Sequence, residues 1–276
     1  MLTCGRFSIP LGERSLIMGV LNLTPDSFSD GGRFSDPRRA VARALQMQEE
    51  GADLIDVGGE STRPGARPVL VREELRRILP VVERLSGRLR IPISVDTSKS
   101  AVAREALRAG AALVNDITAL RDPEMGPLVA DKKVPVILMH TRGTPRTMKR
   151  LARYRHLIPE ITAELRRSVR QALACGIRKN KILIDPGIGF AKTPRHNLVL
   201  LNHIDTFKKL GFPVVVGPSR KSFIGHVLGD PGADRLFGTA AAVALAAFQG
   251  AAILRVHDVA AMRQVIAVAG AIRGSR

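Results

Sequence analysis

A series of short, mostly apolar runs ends, one after another, at residues able to bind a ligand. Leu16–Leu21 leads into Asn22, Leu54–Ile55 into Asp56, Ile93–Val95 into Asp96 and Leu113–Val114 into Asn115. Ile182–Ile184 stops at Asp185, Val214–Val216 at Gly217 and the string Ser219-Arg220-Lys221, and Ile253–Leu254 at Arg255 and His257. Carboxylates only accept hydrogen bonds when ionised, amides both donate and accept, and Lys and Arg only donate. Brought to one place, these residues form a ring of acceptors, two-way amides and cations.

Buried parallel strands read as continuous apolar runs rather than as alternation, which is the pattern here. Eight such strands are expected near residues 16–21, 53–57, 92–95, 112–115, 134–139, 181–184, 213–216 and 252–256. Helical stripes separate them. Ala40, Ala44 and Met47 share one face, with Asp36 as N-cap and Pro37 at the first helical position. Leu75, Ile78, Leu79 and Val82 form a second stripe, and Ile161, Leu165, Val169 and Leu173 a third. Val259, Met262, Val265, Ile266 and Ala269 close the chain, while the helix around 124–130 is expected to be short. Alternating strands and helices bring every strand's C-terminal end to one face. The fold expected is therefore a single (β/α)8 barrel over residues 1–276, with its site on that face and a small hairpin in residues 1–14.

Two βα connections are too long and too rich in Gly, Pro, Ser and Thr to be simple turns. One runs from Thr24 to Gly32 and carries Phe28; the other runs from Gly58 to Gly65 and carries Thr62, Arg63 and Pro64. Long loops at this face commonly cover a substrate. No phosphate-binding P-loop, dinucleotide fingerprint, zinc motif or serine-hydrolase elbow occurs.

Composition narrows the classes further. With 45% hydrophobic residues the chain can bury a full core. Its longest apolar run, Ala240–Phe248, is far below the ~20 residues of a membrane span, so no membrane association is expected. Cys4 and Cys175 make no disulfide framework or metal motif, and no signal peptide is evident, which points to the cytoplasm. The net charge of +18 is high. Its cations are scattered along helices, as at Arg38, Arg39 and Arg43 or Arg166, Arg167 and Arg170, and Tyr154 is the one aromatic residue between Arg142 and Lys181. Without stacking platforms this reads as a solvated basic surface, and no specific nucleic acid is expected.

Longer strings carry a family resemblance. Met18 to Gly32, with its Asn22-Leu23-Thr24-Pro25-Asp26-Ser27-Phe28 centre, resembles the first signature of the dihydropteroate synthases, and Asp56 to Gly65 resembles the second. Ser94-Val95-Asp96-Thr97, Val114-Asn115-Asp116, Ile184 to Phe190, Ser219 to Gly225 and Arg255-Val256-His257-Asp258 match in order, so the likeness spans nearly the whole chain. It implies a transferase of folate biosynthesis that joins 6-hydroxymethyl-7,8-dihydropterin pyrophosphate to p-aminobenzoate, releasing pyrophosphate.

The same resemblance implies roles. Asp96, Asn115, Met139, Asp185, Phe190, Gly217, Lys221 and Arg255 would hold the pterin, and Asn22, Arg63, Arg255 and His257 the pyrophosphate, with Mg²⁺ bridging it to Asn22. Phe28, Thr62, Arg63, Pro64, Phe190, Ser219, Arg220 and Lys221 would hold p-aminobenzoate, with Asp96, Asp185, Lys221 and Arg255 carrying the chemistry. Substitution is expected to be dissociative, pyrophosphate leaving before or as the amine attacks. Pro218 departs from the small or aliphatic residue many relatives carry and removes a backbone donor beside the p-aminobenzoate site. The family is also expected to be homodimeric. The competing readings are a methyltetrahydrofolate-binding corrinoid methyltransferase and a basic, non-catalytic binding protein on the same barrel.

Overall fold

The computed structural model describes residues 1–24 and 37–275. An antiparallel hairpin, β1 (Leu2–Cys4) and β2 (Phe7–Ile9), precedes eight parallel strands: β3 (Leu16–Asn22), β4 (Leu54–Gly58), β5 (Ile93–Asp96), β6 (Leu113–Asp116), β7 (Val136–Met139), β8 (Ile182–Asp185), β9 (Val215–Val216) and β10 (Ile253–Val256). They run in the order β8-β7-β6-β5-β4-β3-β10-β9, and a parallel bridge from Ile184 to Val214 joins the two ends of this sheet. All eight expected strands are present.

The helices are α1 (Pro37–Glu49), α2 (Val71–Ser86), α3 (Ser100–Arg108), α4 (Met125–Lys132), α5 (Leu157–Ala174), α6 (Pro194–Leu201), α7 (Ile204–Lys208), α8 (Ser222–Val227), α9 (Leu236–Phe248) and α10 (Val259–Gly274). Pro37 opens α1 as expected, while the proposed cap Asp36 lies outside the described residues. One stripe is corrected: on α5, Ala172 is buried and Leu173 is 44% exposed. At about 100° per residue, Ala172 lies only about 20° from Ile161 around the helix, whereas Leu173 lies about 120° away.

The alternation hidden inside each apolar run now becomes visible. Ile17, Ile55, Val57, Val95, Val114, Val136, Leu138, Ile184, Val216 and Leu254 face outward and pack with the helices in the larger core. Leu16, Met18, Leu54, Leu113, Ile137, Leu183, Val215 and Ile253 point inward and form a smaller core. Leu2, Cys4 and Ile9 of the hairpin join that inner cluster, so β1 and β2 plug the N-terminal end of the barrel. Two residues beyond the inner apolar layer, on the same face of each strand, come Asp56, Asn115, Met139, Asp185, Gly217 and Arg255. The barrel interior is therefore apolar at its base and polar at its mouth. No described helix is long and apolar enough to cross a membrane.

Candidate active site

The polar mouth is one hydrogen-bonded assembly. Asp56, fully buried on β4, accepts from Ser94 Oγ at 2.6 Å, Asn115 Nδ2 at 3.0 Å and Arg255 Nε at 2.7 Å. Arg255 turns its second nitrogen, Nη2, to Asp96 Oδ2 at 2.8 Å. Register explains the set: Asp56 lies opposite Ser94, and Asp96 opposite Asn115, across adjacent parallel strands. Burial pushes the Asp96 carboxyl upward, and the Arg255 guanidinium opposes that shift.

The opposite wall is built on the loop after β8. Asp185 Oδ1 accepts from Gly187 N at 2.6 Å, and burial raises its pKa against the nearby Lys221 ammonium. Positive φ at Gly187 (73°), Gly189 (84°) and Ala191 (50°) coils this loop tightly. An added Cβ at Gly187 would lie 2.0 Å from His140 O, so glycine is required by contact as well as by conformation. The coil turns its carbonyls toward side chains: Ile188 O accepts from Lys221 Nζ, Phe190 O from Lys192 Nζ at 2.8 Å, and Ala191 O from Tyr154 OH at 3.0 Å. Lys221 Nζ also lies 4.7 Å from the Phe190 ring centroid. Burial pulls the Lys221 pKa down to about 8, opposed by Asp185.

A third cluster joins the ends of β9 and β10. Ser219, buried past β9, accepts from His257 N at 3.2 Å, and its hydroxyl lies 3.0 Å from His257 Nδ1. Burial, aided by the Arg255 and Arg220 charges, lowers the His257 pKa to about 4, so the ring is neutral at pH 7. Arg220 adopts a left-handed backbone (φ 56°), and its guanidinium pairs with Asp258 at the surface.

The sequence-derived residues thus fall into groups. Asp96, Asn115, Met139, Asp185, Gly217, Lys221 and Arg255 converge at the mouth of the barrel, with Asn22 at the end of β3. Thr62 and Phe190 line a cleft of about 560 Å³ among the loops that follow β4 to β8, together with Glu60, Lys99, Arg121 and Arg146. Arg63 and Pro64 are exposed on the loop beside it, and the Arg220 side chain faces Asp258 rather than the mouth. Phe28 lies outside the described residues.

Several residues without an assigned role emerge. Asp56 fastens three neighbours at once. Lys192 Nζ bridges Phe190 O and His140 Nδ1 (3.0 Å), and His140 Nε2 meets Glu164 at 2.9 Å. Arg142 pairs with Glu160 and Glu164 and stacks on Tyr154 with its guanidinium carbon 4.1 Å from the ring centroid. A buried position two residues past an inward-facing Leu is a signal that singles out Asp56. Nothing in the sequence pairs Lys192 with His140, which lie 52 residues apart.

A parallel barrel with a polar, cation-bearing mouth at its C-terminal strand ends defines an enzyme of the (β/α)8 class. Residues 18–257 match the family of pterin binding enzymes. The chain is 48% identical to the dihydropteroate synthase of Synechocystis, over 98% of this chain and 94% of that one. It superimposes on Yersinia pestis dihydropteroate synthase in complex with a sulfonamide drug, with a TM-score of 0.94, 44% identity and 99% of each chain covered. Xanthomonas albilineans dihydropteroate synthase with 4-aminobenzoic acid gives a TM-score of 0.88 at 47% identity, covering 94% of this chain and 93% of that one. The chain belongs to the pterin binding enzymes and, among them, to the dihydropteroate synthases, transferases of folate biosynthesis.

Proposed function

We propose that the mouth of this barrel binds 6-hydroxymethyl-7,8-dihydropterin pyrophosphate and p-aminobenzoate, and joins them into 7,8-dihydropteroate with release of pyrophosphate. The observation that carries the reading is the polar layer of Asp96, Asn115, Asp185, Lys221 and Arg255 above a sealed apolar base. A pterin presents N–H donors along its guanidine-like edge and acceptors elsewhere on the ring. Asp96 and Asp185 accept from that edge, Asn115 does both, and Lys221 donates to the acceptor side once it turns from Ile188 O. Phe190 and Met139 supply apolar walls, Gly217 leaves room beside Arg255, and the flat Arg255 guanidinium stacks on the ring.

Pyrophosphate meets Asn22, Arg63, Arg255 and His257. The Asn22 amide, half-buried at the end of β3, makes no hydrogen bond among the described residues, and no cluster of three acidic, His or Cys ligands exists among them. That donor set fits Mg²⁺, which takes most of its ligands from phosphate oxygens and water and needs few from protein. Bound there, the ion would neutralise charge on the leaving group. The protein's own contribution is electrostatic: Arg255 stabilises the departing anion, and Asp96 and Asp185 favour positive charge on the pterin methylene, a dissociative substitution. The amine of p-aminobenzoate is nucleophilic without a base. Thr62, Pro64 and Phe190 cradle its ring, and Ser219, held by His257, meets its carboxylate with the Arg220 backbone and Lys221 beside it. A sulfonamide, sharing that ring and an anionic tail, is expected to compete for the same place.

The deciding experiment follows pyrophosphate release from the pterin substrate with Mg²⁺. Release that requires p-aminobenzoate and equals dihydropteroate formed supports the reading; folded protein that binds pterin without turnover refutes it. For the assembly, we infer a homodimer through α6, α8, α9 and α10, whose outer faces expose Leu198, Val227, Phe237, Leu245 and Val268. A monomer by sedimentation at micromolar concentration removes that inference. The two free cysteines favour a reducing cytoplasm, which cell fractionation tests.

A further inference from the structure

The loop between β4 and α2 carries Thr62, Arg63 and Pro64, and from Arg63 to Gly65 it is exposed, so polar ties must help it keep one shape. Three kinds of tie hold it. Gly65 N donates to Pro145 O at 2.9 Å, and Arg77 Nη1 of α2 donates to Gly59 O at 2.8 Å. The third is an ionic clasp. Lys99, three residues beyond Asp96, places its ammonium 2.5 Å from Glu60 Oε2 and 2.6 Å from Glu74 Oε2. Glu60 belongs to the loop, and its other oxygen accepts from Val69 N at 2.9 Å, closing the loop on itself. Glu74 belongs to α2 and is fully buried, with Oε1 lacking any hydrogen-bond partner.

A buried carboxylate with a free oxygen is costly, and a bland core position would have been filled by an apolar residue. Lys99 and Glu60 also line the cleft that Thr62 and Phe190 line. The clasp therefore connects three things: the strand end that bears Asp96, the loop that bears Thr62, and the helix behind that loop. Gly59 shows how little slack remains, because a Cβ there would lie 2.8 Å from Ile78 Cγ2 and 3.1 Å from Glu74 O.

We propose that Lys99 is a positioning residue for p-aminobenzoate: by bridging Glu60 and Glu74 it fixes the loop that presents Thr62, Arg63 and Pro64 to that substrate. Lys99 does not touch substrate itself. Without its charge the two carboxylates repel across the clasp, and the loop moves off the cleft while the pterin pocket below stays intact. The proposal rests on the assignment of Thr62 and its loop to p-aminobenzoate.

The test measures steady-state kinetics of Lys99→Met, together with binding of 6-hydroxymethylpterin, which lacks the pyrophosphate that Arg63 meets. Displacing a substrate-positioning group by about 1 Å costs up to ~10²-fold, so the KM for p-aminobenzoate should rise about tenfold or more. Pterin affinity should stay within about twofold, since that ligand lies below the loop. Adding Glu60→Gln, which removes the repulsion but keeps an acceptor for Val69 N, should recover much of the lost KM. A folded Lys99→Met protein with unchanged KM, or a rise that Glu60→Gln does not relieve, overturns the proposal. Should Lys99→Met fail to fold, Glu60→Ala, which removes the loop's side of the clasp, serves instead: a raised KM supports the clasp and an unchanged one refutes it. Thr62→Ala separates the two layers of the argument. If it leaves the KM untouched, the loop assignment has failed; if it raises the KM while Lys99→Met does not, only the clasp has.

Discussion

Lys221, which the proposed function assigns to both substrates, is held in this structure by contacts within the protein. Its ammonium rests on Ile188 O and beside the Phe190 ring, both within reach of the pterin wall. Replacing it by alanine should lower turnover on the order of 10²-fold or more, the scale for one preorganised polar contact, with folding preserved. Near-normal kinetics in a folded Lys221→Ala protein would remove its role. The same residue predicts an alkaline limit. Burial favours the neutral amine and lowers the pKa to about 8, so the donating, charged form is complete well below pH 8 and is lost as pH rises through it. A profile of kcat/KM, which reports the free enzyme, should therefore fall above about pH 8, and a flat profile to pH 10 would contradict this. Other residues were less legible. The resemblance places Arg220 at the p-aminobenzoate site, while what was not readable is that its left-handed backbone directs the guanidinium to Asp258. Neighbours in sequence do not share a direction when φ changes sign between them.

Among the elements, the coil after β8 does the most with the fewest residues. It converts a strand end into a wall by alternating positive φ at Gly187, Gly189 and Ala191, and each reversal exposes a carbonyl to a cation or hydroxyl. Gly187→Ala should destabilise the protein by several kcal/mol, because left-handed strain of about 1–2 kcal/mol adds to a backbone overlap that cannot relax. Chemical denaturation measures it; a midpoint within error of the parent would show that the coil yields. Strand positions were readable because a barrel interior demands apolar runs, and a polar residue at the last inward position marked β4, β6, β8 and β10. The ties between elements were not readable. Lys192 with His140, and Lys99 with Glu60 and Glu74, join residues 52, 39 and 25 positions apart, and no local periodicity encodes such distances.

At the scale of the whole molecule, acid sensitivity follows from histidines that burial keeps neutral. His140 lies between Lys192 and Glu164, and desolvation lowers its pKa from 6.5 to about 4; His257 behaves likewise. Below pH 6.5 the unfolded chain binds protons that the folded one refuses, so this stability is full above pH 6.5 and declines as pH falls toward 4. The raised carboxyls of Asp96, Asp116 and Asp185 work in the opposite sense, gaining protons in the folded state first. A comparison isolates the histidine: between pH 7 and about 4.5 the parent's Tm should fall further than that of His140→Gln. Parallel curves would show that His140 does not contribute. The high positive charge, spread over helix surfaces, should likewise make the encounter with anionic substrates faster at low salt.

Closure of the barrel between β8 and β9 depends on little. β9 has two residues, and across to β8 the connection is the single Ile184–Val214 bridge, with Ile184 N donating to Pro213 O at 3.0 Å. Every other neighbouring pair of barrel strands shares a longer ladder. This makes the cylinder a sheet with a seam, and the seam runs between Asp185 and Ser219. Transient unzipping there would part Asp185 and the coil after β8 from Ser219 and Lys221, so both proposed substrate positions would lose a wall at once. Amide exchange should reveal it, with the Ile184 N–H losing protection ahead of Ile55 and Ile137, and with the occupied enzyme, stitched across the gap by both ligands, slowing that exchange most of all.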